Sequence, residues 1–243
     1  LEFRRVLFRS QLPIQTEQAV YARSRSPVRI SFGGGGSDLT HYFSGDGGAV
    51  INTTISLYCH ATLRTRDDSS VIIQSSDLGE TLRAENLGMA LRKSNRFGLL
   101  QALLRAISPE FGFELYFHSD FPMKSGLGGS AVVAAATLGC FNQFRRDQWD
   151  LYEMAELAYQ AERLHLGVAG GWQDQYATVF GGFNFMEFRM DEIGNFFDCR
   201  IQTFYSQYQS QSQDLKHPFV TVNVKIESGY DTRSEEHTSE LQS

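Results

Sequence analysis

The chain is poor in cysteine, poor in positive charge and free of long apolar runs, and each shortage removes a class of protein. Its three cysteines, Cys59, Cys140 and Cys199, are odd in number and widely separated, which suits neither a disulfide framework nor a zinc site. Idle or buried thiols are expected. The 22 Lys and Arg against 28 Asp and Glu leave a net charge of −6, which argues against nucleic acid or an anionic membrane as partner, since both call for a basic face. No apolar run approaches the ~20 residues that span a bilayer. The early apolar stretch is broken by Arg4, Arg5 and Arg9 and does not read as a signal peptide. A cytoplasmic protein that handles small molecules is the expectation. A Gly-Lys-Ser/Thr triplet is also missing, which excludes a Walker A loop.

The two ends read as foreign. Leu7-Phe-Arg-Ser10 can be encoded by CTCTTCCGATCT, whose reverse complement encodes the Arg-Ser-Glu-Glu that stands at Arg233 to Glu236. Residues 1–10 and 233–243 therefore look like translated sequencing adapter and are set aside from the fold. They carry net charges of +2 and −2, so the acidity of the remainder is unchanged. A domain is expected over 11–201, followed at 202–232 by the start of a C-terminal region. Within it, 202–216 is polar and aperiodic, a loop or damaged coding sequence. A hydrophobic fraction of 42% is enough for a core.

Between these ends, residues 50–63 alternate, with Ile51, Thr53, Ile55, Leu57, Cys59, Ala61 and Leu63 on one face, which predicts a long half-buried strand. Val71 to Ser75 follows the turn-like Asp67-Asp68-Ser69 and predicts an antiparallel hairpin with it. A helix is expected from Asn95, with Phe97, Leu100, Leu104 and Ile107 at helical spacing and Pro109 as its stop. Phe111 to His118 reads as a strand, and helices are expected over about 130–144 and 149–164.

Two glycine-rich segments carry the chemistry. Lys124-Ser-Gly-Leu-Gly-Gly-Ser130 lies between a strand and a helix, where backbone N–H groups and about half a positive charge at the helix N-terminus make an anion cradle. A tight turn with Ser130 as N-cap is the plainer reading. The dinucleotide pattern G-x-G-x-x-A is also satisfied at Gly126 to Ala131, but it needs a parallel strand after the helix, where another helix is expected. Ser31-Phe-Gly-Gly-Gly-Gly-Ser-Asp-Leu39 is either a glycine-bulged turn capped by Asp38 or a close approach of backbone to a ligand. A flexible linker would not separate two strands of one core. His41, His60, His118 and His165 show no metal-ligand spacing and are assigned no role.

Three segments together resemble the GHMP small-molecule kinases, the superfamily of galactokinase, homoserine kinase, mevalonate kinase and phosphomevalonate kinase. They are Pro27 to Asp38, "PMKSGLGGSAVVAAA" and "AERLHLGVAGGWQDQYATVFGGFNFMEF". The Gly-Gly-Ser-Asp form of the first and the Gly-Gly-Trp-Gln-Asp-Gln of the third look most like the branch that phosphorylates D-glycero-D-manno-heptose 7-phosphate at its anomeric hydroxyl. The resemblance implies an α+β fold, a ribosomal protein S5 domain 2-like sandwich of a mainly antiparallel sheet with helices, and it implies ATP and Mg²⁺. It assigns Asp174 as the base that takes the hydroxyl proton and Arg29 as the cation near the transferred phosphoryl group. Lys124, Ser125, Gly126, Leu127, Gly128, Gly129 and Ser130 would bind nucleotide phosphates, Ser130 and Glu162 the metal, and Gly35, Gly36, Ser37 and Asp38 a sugar or sugar-phosphate substrate. Lys124 is otherwise a solvent-facing charge, Asp174 a helix-cap acid and Glu162 a solvated helix face. The superfamily's third glycine-rich motif has no counterpart after Phe188, so the resemblance implies an N-terminal domain only, which by itself is not expected to be active. A galactokinase- or fucokinase-like kinase, a non-catalytic sugar- or nucleotide-binding homologue and a decarboxylase are the alternatives. The binding homologue should have lost the base, and Asp174 is present.

Overall fold

The computed structural model describes residues 20–93, 96–122, 125–190, 197–205 and 223–226. Both adapter-like ends lie outside these residues, as do Lys124, Asn95 and residues 206–222.

Strand β1 (Val20–Gly33) leads through the glycine loop and a short helix α1 (Thr40–Asp46) into β2 (Gly48–Arg66). A hairpin of β3 (Val71–Ser75) and β4 (Glu80–Ala84) follows, then α2 (Leu87–Ala90), α3 (Gly98–Ile107) and β5 (Gly112–Ser119). The helical stretch is α4 (Gly129–Asn142), α5 (Leu151–Tyr159), which continues as a π-helical turn over Gln160–His165, and α6 (Gln173–Phe180). Strands β6 (Phe183–Met190), β7 (Phe197–Tyr205) and β8 (Asn223–Ile226) complete one eight-stranded sheet. Its order is β4-β3-β5-β2-β1-β8, with β6 on the N-terminal half of β2 and β7 beyond β6. Every pairing is antiparallel except β3 with β5. The α+β class with a mainly antiparallel sheet is therefore as expected.

Three local expectations need correction. β3 does not pair with β2, because β5 is inserted between them. It is a strongly apolar strand, with Phe113, Leu115 and Phe117 all buried, and it enters beneath the 67–70 loop, where a Cβ on Gly112 would stand 1.9 Å from the Asp68 carbonyl oxygen. Only glycine leaves β5 that entrance. The alternation of β2 also changes phase. Cys59, Ala61 and Leu63 face the core, but at the other end Asn52 is 0% exposed and Ile51 39% exposed. The change spans the irregularity at which Pro27 pairs with Tyr58 and Arg29 with Thr54, since extra residues on one strand of a ladder re-aim its side chains. Third, the 202–216 stretch is not wholly irregular: β7 runs on through 202–205.

α4 is buried nearly all round, from Ala131 to Asn142, as befits a helix held between a sheet and other helices. Its alanines let the backbone come close to β1 and β2, and the Cys140 thiol reaches the carbonyl oxygens of Ala22 and Ala61 at 3.5 Å. α5 starts from a capping box in which Asp150 accepts from the Glu153 N–H at 2.8 Å and Glu153 accepts from the Asp150 N–H at 2.9 Å. α3 stops at Ser108, whose φ of 47° is left-handed, directly before Pro109.

Candidate active site

The glycine-rich turn after β5 bends twice through left-handed backbone, at Gly126 (φ 76°) and Gly128 (φ 79°), and delivers the chain into α4. No acidic residue of α4 itself occupies its first turn, whose leading N–H groups have no partner within the helix. β1 packs against the turn: the Arg29 N–H donates to the Leu127 carbonyl at 3.4 Å and Arg29 Nη1 to that of Gly126 at 3.3 Å.

Asp174 sits in the first turn of α6 but does not cap it, because Trp172 holds the N-cap position and no side chain caps the helix. Instead, Oδ1 of Asp174 accepts from Arg29 Nε at 2.7 Å and lies 2.6 Å from Nη2. Its Oδ2 turns to the turn before α4, where a Cβ on Gly128 would be 3.5 Å away. The helix-cap reading of Asp174 is thus not the one the structure supports.

Glu162 is no solvated helix face. It is 5% exposed, carried inward by the π-helical turn, a distortion common at functional sites. One carboxylate oxygen accepts a short hydrogen bond from the Ser130 hydroxyl, the other accepts from Gln175 Nε2 at 2.7 Å, and Arg163 Nη1 is 3.6 Å away. Gln175 is itself buried and its Oε1 has no partner. A hydroxyl, a carboxylate and an unpartnered amide oxygen gathered at the mouth of α4 are the all-oxygen donors a small hard cation prefers, and the residues fit magnesium.

The glycine loop departs from expectation. Asp38, expected to reach sugar hydroxyls, is 3% exposed, and its carboxylate accepts from the backbone N–H of Gly36 at 3.1 Å and of Gln173 at 3.0 Å. The Trp172 N–H also donates to its carbonyl at 3.3 Å. The Ser37 hydroxyl is engaged too, donating to the carbonyls of Gly34 at 2.7 Å and Ala49 at 2.9 Å. The Gln173 N–H at the start of α6 draws the Asp38 carboxylate inward, and the Ala49 backbone of β2 does the same for the Ser37 hydroxyl. Gly35 and Gly36 remain with open space or only distant atoms beside them, so this loop meets solvent through backbone.

Ser125, Gly126, Gly128, Gly129, Ser130 and Asp174 form the polar end of a cavity of about 470 Å³. Leu78, Phe97, Leu99, Leu100, Phe117, Phe121 and Val133 line its apolar end, and Ser75, Asp77, Arg96 and Ser119 also border the cavity. A larger open depression between α1 and β6 touches, of the expected residues, Ser37 alone. The convergence of Arg29, Asp174, Ser130 and Glu162 makes the smaller cavity the candidate site. Trp172, Gln175 and Arg163 stand in the third segment, but the sequence assigns them no role. Trp172 stacks on Tyr159 at 3.4 Å and donates to Thr40 Oγ1 at 3.0 Å, while Arg163 donates to the carbonyls of Ala169 at 3.3 Å and Gly171 at 3.4 Å. All three work across loops, where periodicity carries no signal.

Residues 95–182 match the GHMP kinases N terminal domain. The chain is 39% identical over 171 residues to a D-glycero-alpha-D-manno-heptose 7-phosphate kinase of Campylobacter jejuni, covering 68% of this chain and 50% of that protein. It is 29% identical over 203 residues to an L-fucokinase/L-fucose-1-P guanylyltransferase of Bacteroides fragilis, covering 73% of this chain and 21% of the relative. A crystal structure of a D-glycero-D-manno-heptose 1-phosphate kinase from Bacteroides thetaiotaomicron superposes with a TM-score of 0.64 at 31% identity, over 74% of this chain and 59% of the other. The chain thus spans about half the length of the first of these relatives. With Arg29 tied to both the turn before α4 and Asp174, these likenesses show that the chain carries a GHMP kinase N-terminal domain.

Proposed function

We propose that this chain supplies the nucleotide- and substrate-binding half of an ATP-dependent sugar-phosphate kinase that acts on the anomeric hydroxyl of a heptose 7-phosphate. One observation carries the reading: the Asp174 carboxylate stands between two loops. The anion turn touches it through Gly128, at 3.4 Å from a Cβ built there, and the Gly33–Asp38 loop is tied to the neighbouring Gln173 N–H at 3.0 Å. A hydroxyl approaching over Gly35 and Gly36 would meet a carboxylate beside the phosphate cradle. The kinship to heptose phosphate kinases supports the substrate class.

ATP, when bound, brings the phosphoryl group and its charge. The chain's own residues do the positioning that such transfers mainly require. Asp174 Oδ2 takes the proton of the attacking hydroxyl, while Oδ1 stays with Arg29, whose guanidinium is held beside the turn to face phosphate oxygens. The first-turn N–H groups of α4 receive phosphate, and the apolar end of the cavity suits a flat base. Ser130 and Glu162, oriented by Gln175, would hold Mg²⁺. Lys124 remains a candidate phosphate contact by resemblance alone.

The test is substrate-dependent ADP release in a chain completed to the length of its relatives. Heptose 7-phosphate should be preferred over free galactose or fucose by specificity constant. Asp174→Asn should lower kcat by ~10²-fold or more with ATP binding nearly intact. A preference for a free sugar overturns the substrate, and full turnover of the variant overturns the base.

A further inference from the structure

The sheet face turned away from the helices carries a cluster that the candidate active site does not use. His60 on β2 and His118 on β5 are directly paired in the antiparallel register, and Asp120 lies just beyond the end of β5 on the same face. The two rings stack with centroids 4.8 Å apart, 10° from parallel. Asp120 Oδ2 is 3.3 Å from His60 Nε2 and also accepts the Tyr58 N–H at 3.1 Å. The Asp120 N–H donates in turn to the Tyr58 carbonyl at 2.8 Å, so the ladder itself holds the carboxylate in place. Nδ1 of His118 is shielded from solvent and has no hydrogen-bond partner. One donor atom from each of the three residues lies within 4.8 Å of the others.

We propose that His60, His118 and Asp120 bind a divalent transition-metal ion of the zinc, cobalt or nickel class. Two imidazoles and one carboxylate suit these ions and not magnesium or calcium, which prefer oxygen donors. Two donors each ~2.0–2.2 Å from one cation in a tetrahedral site stand about 3.3–3.6 Å apart, so the widest pair of the cluster, within 4.8 Å, closes by at most about 1.5 Å. Parallel rings point their lone pairs alongside one another, and convergence requires one ring to turn out of the stack. Both rings are only partly buried and have room to do so. Three protein donors leave at least one position for water or a further ligand. The histidines are far apart in the sequence, and the strand register alone brings them together, so no spacing rule finds them.

Zn²⁺ titrated calorimetrically into the whole chain, in buffer saturated with Mg²⁺, should show one ion bound per chain. His60→Gln and His118→Gln should each weaken it at least tenfold. Failure to bind, or undiminished affinity in both variants, overturns the site. Should a variant fold poorly by circular dichroism, the unaltered chain decides: substoichiometric Co²⁺ should broaden the ring resonances of His60 and His118 first. Broadening confined to other histidines overturns the proposal. No outcome depends on the kinase reading, since neither the ion nor the readout involves nucleotide.

Discussion

At the scale of single residues, Gly171 shows how tightly the glycine loop and α6 are joined. A Cβ there would stand 1.9 Å from Asp38 Oδ2 and 2.3 Å from its Cγ, and Asp38 cannot yield without losing two backbone hydrogen bonds. Gly171→Ala should therefore destabilise the fold by ~1–3 kcal/mol, the usual range for overpacking, a fall in Tm of about 3–10 °C at this size. A thermal melt checks it. In an Asp38→Ala background the same substitution should cost almost nothing more, because the clash is gone; an undiminished cost would place its cause elsewhere. Residue types were legible in the sequence here, but directions were not. Asp38, Ser37 and Asp174 were all visible as polar groups beside glycines, yet only the fold shows that the first two turn inward and the third turns toward Arg29. Such choices depend on which backbone N–H groups lack partners, a property of helix ends and not of local sequence.

At the scale of elements, the turn before α4 is decisive. Gly128 holds φ 79° and has Asp174 within 3.4 Å of its missing Cβ. Gly128→Val would strain the backbone, since β-branched residues rarely adopt positive φ, and would press on Asp174 as well. ATP affinity, measured by calorimetry under conditions where the variant is still folded, should fall at least tenfold, and the melting point should drop by the few degrees that such backbone strain costs; unaltered affinity would remove this turn from the nucleotide site. Elements with strong periodicity were readable: β2, β3, β5, α4 and α5 stand within a few residues of their expected places. Pairing was not, as the insertion of β5 between β2 and β3 shows. A hairpin is the shortest connection, but burial of Phe113, Leu115 and Phe117 outweighs it. The π-helical turn that brings Glu162 inward was likewise invisible, since one extra residue per turn leaves only a slight phase slip in the apolar pattern.

For the molecule as a whole, the buried thiols set a limit on the alkaline side. Burial pushes the Cys59 thiol from 9.0 up to about 12, and desolvation raises that of Cys140 further still. Folded-state values lie above the unfolded ones, so the unfolded chain loses these protons first. The stabilisation is complete below pH ~9 and is lost as pH climbs toward the folded values, by about 1.4 kcal/mol per pH unit for each thiol. Urea midpoints at pH ~6.5, ~8 and ~10.5 should be level between the first two and fall at the third. A Cys59→Ala, Cys140→Ala double variant should fall less steeply, and an equal fall would assign the loss to other groups. The pair formed by Arg29 and Asp174 reaches further, into the order of assembly. The partners are separated by 145 residues and the Asp38 contact to α6 by 135, so loop closure on that scale must precede any of this chemistry. During synthesis α6 emerges long after β1, and until then the segment that holds Arg29 has no acid beside it. Arg29 and the acid it orients therefore meet only after the whole stretch between them has been made, and a chain stopped short of α6 holds the cation without its carboxylate.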